Sequence, residues 1–205
     1  MRIINHEDND DGTWRMFLLS CRPPCGQTFS WGQKPVTIIC PHCGRKGKLK
    51  DALFYYQMKI IIDTDEKYAW KFPAHIHTIR KKIKTADYSI EGYELELAIE
   101  RKSKADMYGT LSSGIKNFLN ELERFSYMKY RLIIIDDCTL AEFLEEPEHT
   151  SKPAQEVIKS LISLSVKYDV PVLFTGTRQL AAAWAIQWLE RCYKEIKARE
   201  GEENK

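Results

Sequence analysis

Two charged side chains near the middle of the chain have the types and spacing needed for hydrolytic chemistry. Glu100 and Lys102 are two residues apart in a segment that alternates apolar and polar residues, so a strand would place them on one face. A carboxylate can bind a divalent metal ion, and a neighbouring ammonium can orient a water or offset phosphate charge, as metal-assisted phosphodiester hydrolysis requires. The same pair also fits a solvated ion pair on a surface strand.

Acidic residues upstream favour the metal-site interpretation. Asp63 follows an apolar, β-branched run, and Asp87 lies between two predicted strands, at 75–83 and from residue 93 to Glu100. Carboxylates at the ends of buried strands are what a metal site needs. We therefore predict a catalytic site on an α/β sheet whose strands end in these acids.

A second candidate metal site is formed by cysteines. Four of the six fall into two short pairs, Cys21 with Cys25 and Cys40 with Cys43. Each pair can reach one ion from a tight turn, and two such turns supply the four tetrahedral ligands of a structural zinc. Gly44 follows the last ligand and allows the positive φ that a knuckle turn needs. We predict a zinc ribbon over residues 13–52, with disulfides or reduced core thiols as the alternative.

The predicted ribbon has a candidate nucleic-acid surface. Basic residues follow its last ligand, namely Arg45, Lys46, Lys48 and Lys50, and Trp14, Phe29 and Trp31 flank the ligand turns. Cations beside aromatic rings are typical of surfaces that bind nucleic acid. A charged linker next to core aromatics would give the same pattern, so both interpretations stay open.

The length and net charge of the chain limit its possible domain organisation and partners. A chain of 205 residues with 43% hydrophobic content can bury one full core and a small module. We predict a polar tail at 1–12, the ribbon, a main domain at 57–198 and a polar tail at 199–205. The net charge of +2 permits a nucleic-acid partner without requiring one. With neither a long apolar run nor a signal peptide, we expect no membrane partner and an intracellular protein, in the cytoplasm or nucleoid, or in a eukaryotic nucleus.

The order of the acidic motifs resembles the XPF/Mus81 family, or ERCC4-type nuclease domain, of the restriction-endonuclease-like PD-(D/E)xK superfamily. The sequences DTDE at 63–66, AD at 86–87 and ERKSKAD at 100–106 stand in the order of that family's Asp-x-Arg-Glu, Gly-Asp and Glu-Arg-Lys-x-x-x-Asp motifs. Asp65 stands where the family has arginine, and Ala86 stands where it has glycine. The resemblance covers roughly residues 57 to 195.

This resemblance implies a fold, an activity and a set of roles. The fold would be a restriction-endonuclease-like α/β domain, with a mixed central sheet flanked by helices. The activity would be magnesium- or manganese-dependent cleavage of branched or junction-containing DNA, as in repair or recombination. Asp63, Asp87 and Glu100 would hold the metal, Glu66 would support the site, and Lys102 would orient the attacking water. Predicted DNA contacts are Arg45, Lys46, Lys48, Lys50, Arg101, Lys104 and Lys116. The C-terminal helix would be a homodimer or heterodimer interface.

Two other functions remain alternatives. The chain could be a catalytically silent DNA-binding or scaffold subunit, to which the added carboxylate of Asp65 points, or a zinc-ribbon adaptor that binds protein. The joint presence of Asp87, Glu100 and Lys102 favours the nuclease, because a silent domain has no physical need for converging acids. Asp106 and Ser103 form a capping-box pattern, so we predict that Asp106 caps a helix.

Overall fold

The computed structural model describes residues 2–8, 14–20, 25, 27–32, 37–48, 53–54, 56–148, 150 and 152–203. The chain divides into two compact units. One comprises Met1–Ile60 and Phe72–Ile79, and the other comprises Ile61–Lys71 and Arg80–Lys205.

The described residues of the first unit form two small antiparallel sheets. The strands β1 (Arg2–Asp8), β2 (Trp14–Ser20) and β3 (Thr28–Gly32) form one sheet, and β4 (Thr37–Ile39) and β5 (Lys46–Lys48) form the other. Strand β1 lies where the sequence led us to expect a polar tail. Ile3 pairs with Leu19 of β2, and both side chains are buried, so apolar pairing outweighs the acidic composition of this segment.

The central sheet has six strands in the order β11-β10-β9-β8-β6-β7. The strands are β6 (Lys59–Ile62), β7 (His77–Arg80), β8 (Tyr88–Ile90), β9 (Leu97–Lys102), β10 (Tyr130–Ile135) and β11 (Val172–Phe174). Strands β9, β10 and β11 run parallel, whereas β8 is antiparallel to β9. The predicted mixed α/β sheet is confirmed.

Among the described residues, five helices follow β9. They are α1 (Lys104–Ser112), α2 (Ile115–Ser126), α3 (Leu140–Phe143), α4 (Ala154–Tyr168) and α5 (Arg178–Glu203). Side chains of α1, α2 and α4 join residues of β9 and β10 in one buried apolar cluster. Helix α5 continues through residues that we expected in a polar tail. No helix among the described residues combines the length and apolar character needed to cross a membrane.

Strand β9 is shorter and more deeply buried than the alternation predicted. It begins at Leu97 rather than at Tyr93, and Leu95 is 80% exposed. Ala98 and Glu100 are buried as well as Leu97, so both faces of β9 are covered. The face that carries Glu100 is therefore covered at the end of the strand, and the alternative of a solvated polar face does not hold there.

The predicted capping box after β9 is confirmed. Ser103 is the N-cap of α1, its side chain accepts a hydrogen bond from the Asp106 amide, and the Asp106 carboxylate accepts one from the Ser103 amide. This motif starts the helix at Lys104, two residues after the strand ends at Lys102.

Candidate active site

The end of β9 carries the charged pair on which the site is built. The Nζ atom of Lys102 lies 2.5 Å from Oε1 of Glu100 and 5.2 Å from the centre of the Phe118 ring. Both charged side chains are largely enclosed, at 13% and 9% exposure. The pair is therefore an interior ion pair, and the surface interpretation does not apply.

Asp87 joins this pair from the start of β8. Its amide donates to the Ile99 carbonyl at 3.1 Å, and its Oδ2 accepts from the Arg101 amide at 2.8 Å, so backbone pairing with β9 places its carboxylate beside the Glu-x-Lys segment. Burial raises the pKa of Asp87 to about 7, and repulsion by Glu66 adds to this. Ala86, immediately before it, has a φ of 70°.

Glu100 is a buried carboxyl with several acidic neighbours. Burial raises its pKa well above the ordinary value, and the charge of Asp87 raises it further, against the opposing effect of Lys102. Glu121 of α2 also raises the pKa of Glu100, by its charge and by a side-chain hydrogen bond. Several acidic side chains are therefore concentrated beside one ammonium at this end of the sheet.

The turn after β6 brings Glu66 to the same place. Glu66 is buried, Oε1 accepts from the Tyr68 amide at 2.5 Å, and Oε2 lies 3.8 Å from Nη1 of Arg101. The turn itself is braced by Arg80, whose Nη1 donates to the carbonyls of Asp63 at 2.9 Å and Glu66 at 2.8 Å. The charge of Glu66 contributes to the raised pKa of Asp87, so the two carboxyls lie within electrostatic reach of each other.

Asp63 has a different environment from the one its position implied. Its Oδ2 accepts from the Ile83 amide at 2.7 Å, and its Oδ1 accepts from the Asp65 amide at 2.7 Å and from Lys82 Nζ at 3.1 Å. Burial alone would raise its pKa, but these hydrogen bonds and the Lys82 charge outweigh it and lower the pKa. The carboxylate joins two chain segments, while its backbone amide donates to the Asp87 carbonyl.

A fully buried carboxylate, that of Asp136, accepts hydrogen bonds from residues next to the site. Asp136, at the end of β10, accepts from Arg101 at 2.7 and 3.2 Å, from Trp70 Nε1 at 2.9 Å and from Arg178 at 3.0 Å. Arg178 also donates to the carbonyls of Tyr68 and Ala69, in the segment that follows Glu66. Arg101, which we predicted as a DNA contact, is therefore an interior residue that links Asp136 to Glu66.

The sequence motifs did not identify four residues that surround the site, namely Glu121, Asp136, Trp70 and Arg178. One signal was available for Asp136, because it ends an apolar strand that can run parallel to β9, and such strands end at one sheet edge. No local pattern marks Glu121, since its role depends on which face of α2 meets the sheet.

The remaining predicted DNA contacts are surface cations with different surroundings. Arg45, Lys46, Lys48 and Lys116 are exposed. Lys104 is half-buried, and its Nζ donates to the Glu142 carbonyl at 2.6 Å. Lys50 lies outside the described residues.

The cysteines form a compact group in the first unit. Sγ atoms of Cys25, Cys40 and Cys43 all lie within 4.8 Å of one another, so they could hold a metal ion. The Gly44 amide donates to the Cys40 carbonyl at 2.9 Å, and Gly44 has a φ of 69°. The predicted positive φ after the last ligand is confirmed. Cys21, the fourth predicted ligand, lies outside the described residues.

The donor sets at the two candidate metal sites differ in chemistry and in spacing. Within the described part of the chain, the cysteine group is the one whose three ligand atoms approach within 4.8 Å. The carboxylates of Asp87, Glu100 and Glu66 are spread more widely. This arrangement fits magnesium, which takes one or two carboxylates and keeps several waters. Its charge would stabilise the ionised form of Asp87 and Glu100, whose pKa values are raised by burial and, to a lesser extent, by neighbouring carboxylates.

The mixed sheet, with its buried Glu-x-Lys segment at the end of β9, defines an α/β domain whose candidate site lies at one edge of the central sheet. The chain belongs to the ERCC4 domain family, whose model matches residues 62–187. Its fold is similar to that of XPF from Aeropyrum pernix, with a TM-score of 0.53 and 14% identity, covering 70% of this chain and 69% of that chain.

A second solved structure, XPF from Aeropyrum pernix in complex with DNA, gives a TM-score of 0.52 and 16% identity. This match covers 68% of the present chain and 66% of the other. No curated protein matches the chain.

Proposed function

We propose that this chain is a metal-dependent DNA endonuclease that hydrolyses phosphodiester bonds in branched or junction-containing DNA. The observation that carries the proposal is the enclosed Glu100–Lys102 pair at the end of β9, with Asp87 close enough to raise the pKa of Glu100, in a domain of the ERCC4 family. A DNA substrate is further supported by the similarity to an XPF structure in complex with DNA.

The chain's own residues divide the work of the reaction. Asp87 and Glu100 would hold magnesium or manganese, which supplies a bound water of lowered pKa and positive charge beside the phosphate. Lys102, fixed by Glu100, donates hydrogen bonds that orient the attacking water. Glu66 adds negative charge near Asp87 and is held there by Arg101. Asp63 secures the backbone that carries these groups instead of binding the ion directly.

The cysteine group supports a structural role for a second metal. We assign zinc to Cys25, Cys40 and Cys43, with Cys21 as the fourth ligand, because thiolates at this spacing suit zinc better than magnesium. The exposed cations Arg45, Lys46 and Lys48 would then contact the phosphate backbone beside this module.

Self-association through α5 is a further part of the proposal. Leu180 and Trp184 are four residues apart on this helix and both are more than half exposed, which gives one apolar stripe. If this stripe is an interface, Trp184→Glu will lower the mass measured by light scattering to that of one chain. An unchanged mass would exclude this interface.

The activity is tested by incubating flap, fork and linear duplex DNA with the protein and magnesium or manganese. We expect cleavage of the junction substrates, abolished by EDTA, and a loss on the order of 100-fold or more in Glu100→Gln with DNA binding retained. Glu145→Gln, which changes an exposed carboxylate, is the matched control and should cleave normally. Tight, metal-independent binding with no cleavage of any substrate would favour the silent DNA-binding subunit instead.

A further inference from the structure

Helix α2 directs two side chains at the ammonium of Lys102. Phe118 places its ring centre 5.2 Å from Nζ, and Glu121, one turn later, places Oε2 3.9 Å from the same atom. The orientation of the helix is fixed by Phe118, Leu122 and Phe125, which are buried in the core cluster. Glu121 therefore faces the site because the helix can pack only with this face inward.

Two carboxylates therefore lie near the Lys102 ammonium, at different distances from its nitrogen. Glu100 Oε1 is in contact at 2.5 Å, and Glu121 is within ion-pair reach. The proposed function requires Glu100 to share its charge with a divalent cation, which brings a second positive charge close to Lys102. In so enclosed a place, the ammonium then needs another counter-charge, because like charges in a low-dielectric site repel strongly.

We propose that Glu121 is a positioning residue that holds the Lys102 ammonium in place when Glu100 is engaged by the metal. This inference rests on the proposed function and adds a residue to it from an element outside the sequence motifs. Glu121 itself does not bind the metal. It acts on the metal site through Lys102, in addition to its direct hydrogen bond to Glu100.

A double-mutant cycle on manganese binding tests this separation of roles. Mn²⁺ affinity is measured by titration calorimetry or electron paramagnetic resonance for the wild type, Glu121→Gln, Lys102→Met and the double variant, without DNA. We expect Glu121→Gln to lower the affinity for Mn²⁺. This loss should be roughly threefold to tenfold larger when residue 102 is lysine than when it is methionine. An equal or larger loss in the Lys102→Met background would overturn the proposal and make Glu121 a direct ligand.

A control variant and a kinetic measurement complete the test of Glu121. Glu123→Gln, on the same helix and exposed, is the matched control and should leave Mn²⁺ affinity unchanged. In DNA cleavage at saturating metal, Glu121→Gln should lower kcat while KM changes less than about twofold, since the change affects Lys102 and the metal site and leaves the DNA contacts in place.

Different results would contradict the positioning role of Glu121 and the proposed nuclease function. A wild-type protein that binds no Mn²⁺ would overturn the metal-dependent function. The same four proteins, unfolded in urea with EDTA, would still show whether residues 102 and 121 are coupled, and additive effects would overturn the positioning role.

Discussion

The Arg101 guanidinium donates two hydrogen bonds to the Asp136 carboxylate, at 2.7 and 3.2 Å. The two residues lie on neighbouring parallel strands, and Asp136 has no exposed surface. This pair turns the middle residue of the Glu-Arg-Lys motif away from solvent, while the Arg101 amide donates to Asp87. One residue thus connects the interior carboxylate to the site through both its side chain and its backbone.

Asp136→Asn should destabilise the protein, because Arg101, Arg178 and Trp70 all donate to this buried carboxylate. We expect a loss of about 3 kcal/mol in the free energy of unfolding, measured in urea, because removing one partner leaves a buried charge unpaired. Asp137→Asn, at the next and exposed position, should cost about 0.5 kcal/mol or less. Equal effects of the two substitutions would contradict the interior role of Asp136.

Ala86→Gly should stabilise the protein. Ala86 has a φ of 70°, in the left-handed region that disfavours a residue with a Cβ atom, so glycine should raise the free energy of unfolding by about 1 kcal/mol. Gly92→Ala is the reverse test, because Gly92 has a φ of 87° and open space around its Cβ position. It should cost a similar amount, and a neutral result at both positions would refute the argument from backbone conformation.

The hydrogen bonds of Asp63 predict a pH-dependent contribution to stability. Its pKa is lowered below the ordinary value of 3.8, so its contribution is complete above about pH 4 and is lost as the pH falls through the folded-state pKa. Asp63→Asn should lower the free energy of unfolding at pH 7 by about 1–3 kcal/mol, since an amide cannot accept from all three donors.

The difference between wild type and Asp63→Asn, followed by urea unfolding from pH 7 to pH 3, should shrink below pH 4. A constant difference over this range would show that ionisation of Asp63 is unimportant. Glu148→Gln, at an exposed position, is the control for effects of low pH on the rest of the protein.

Asp65 should restrain a cation that would otherwise contact DNA. Lys82 Nζ lies 2.5 Å from Asp65 Oδ2, and both side chains are more than half exposed. Asp65→Ala should therefore strengthen DNA binding about threefold to tenfold in low salt, with a steeper salt dependence, because one more phosphate contact becomes available. The Asp65→Ala, Lys82→Met double variant should lose this gain. Unchanged affinity in the single variant would rule out the restraint.

Zinc removal should unfold the cysteine module selectively. Because small metal modules draw most of their folding free energy from the ion, Cys40→Ser or a strong chelator should abolish its ordered structure. Metal analysis should find one zinc per chain in the wild type and none in Cys40→Ser, with Cys138→Ser, at a buried position in the other unit, as the control. Full zinc content in Cys40→Ser would contradict the assignment.

Features that depend on near neighbours in the chain were predicted most successfully. The capping box of Ser103 and Asp106, the side-by-side placement of Glu100 and Lys102, and the turn at Gly44 all follow from contacts within a few residues. Strand β1 and the start of β9 were missed because strand limits depend on which partner strands cover them. The pairing of Ile3 with Leu19 is one such case.

The sequence by itself determined which motifs this chain carries, its mixed α/β class and the residue types at the sheet edge, because spacing and hydrophobic pattern act locally. Only the tertiary structure decided which carboxylates meet. Asp63 is turned toward Ile83, Glu66 is brought to Asp87, Glu121 arrives from α2, and Asp136 secures Arg101. Each of these depends on hydrogen bonds or packing between segments far apart in the chain, where the direction of a side chain is set by its partners and not by its position in a motif.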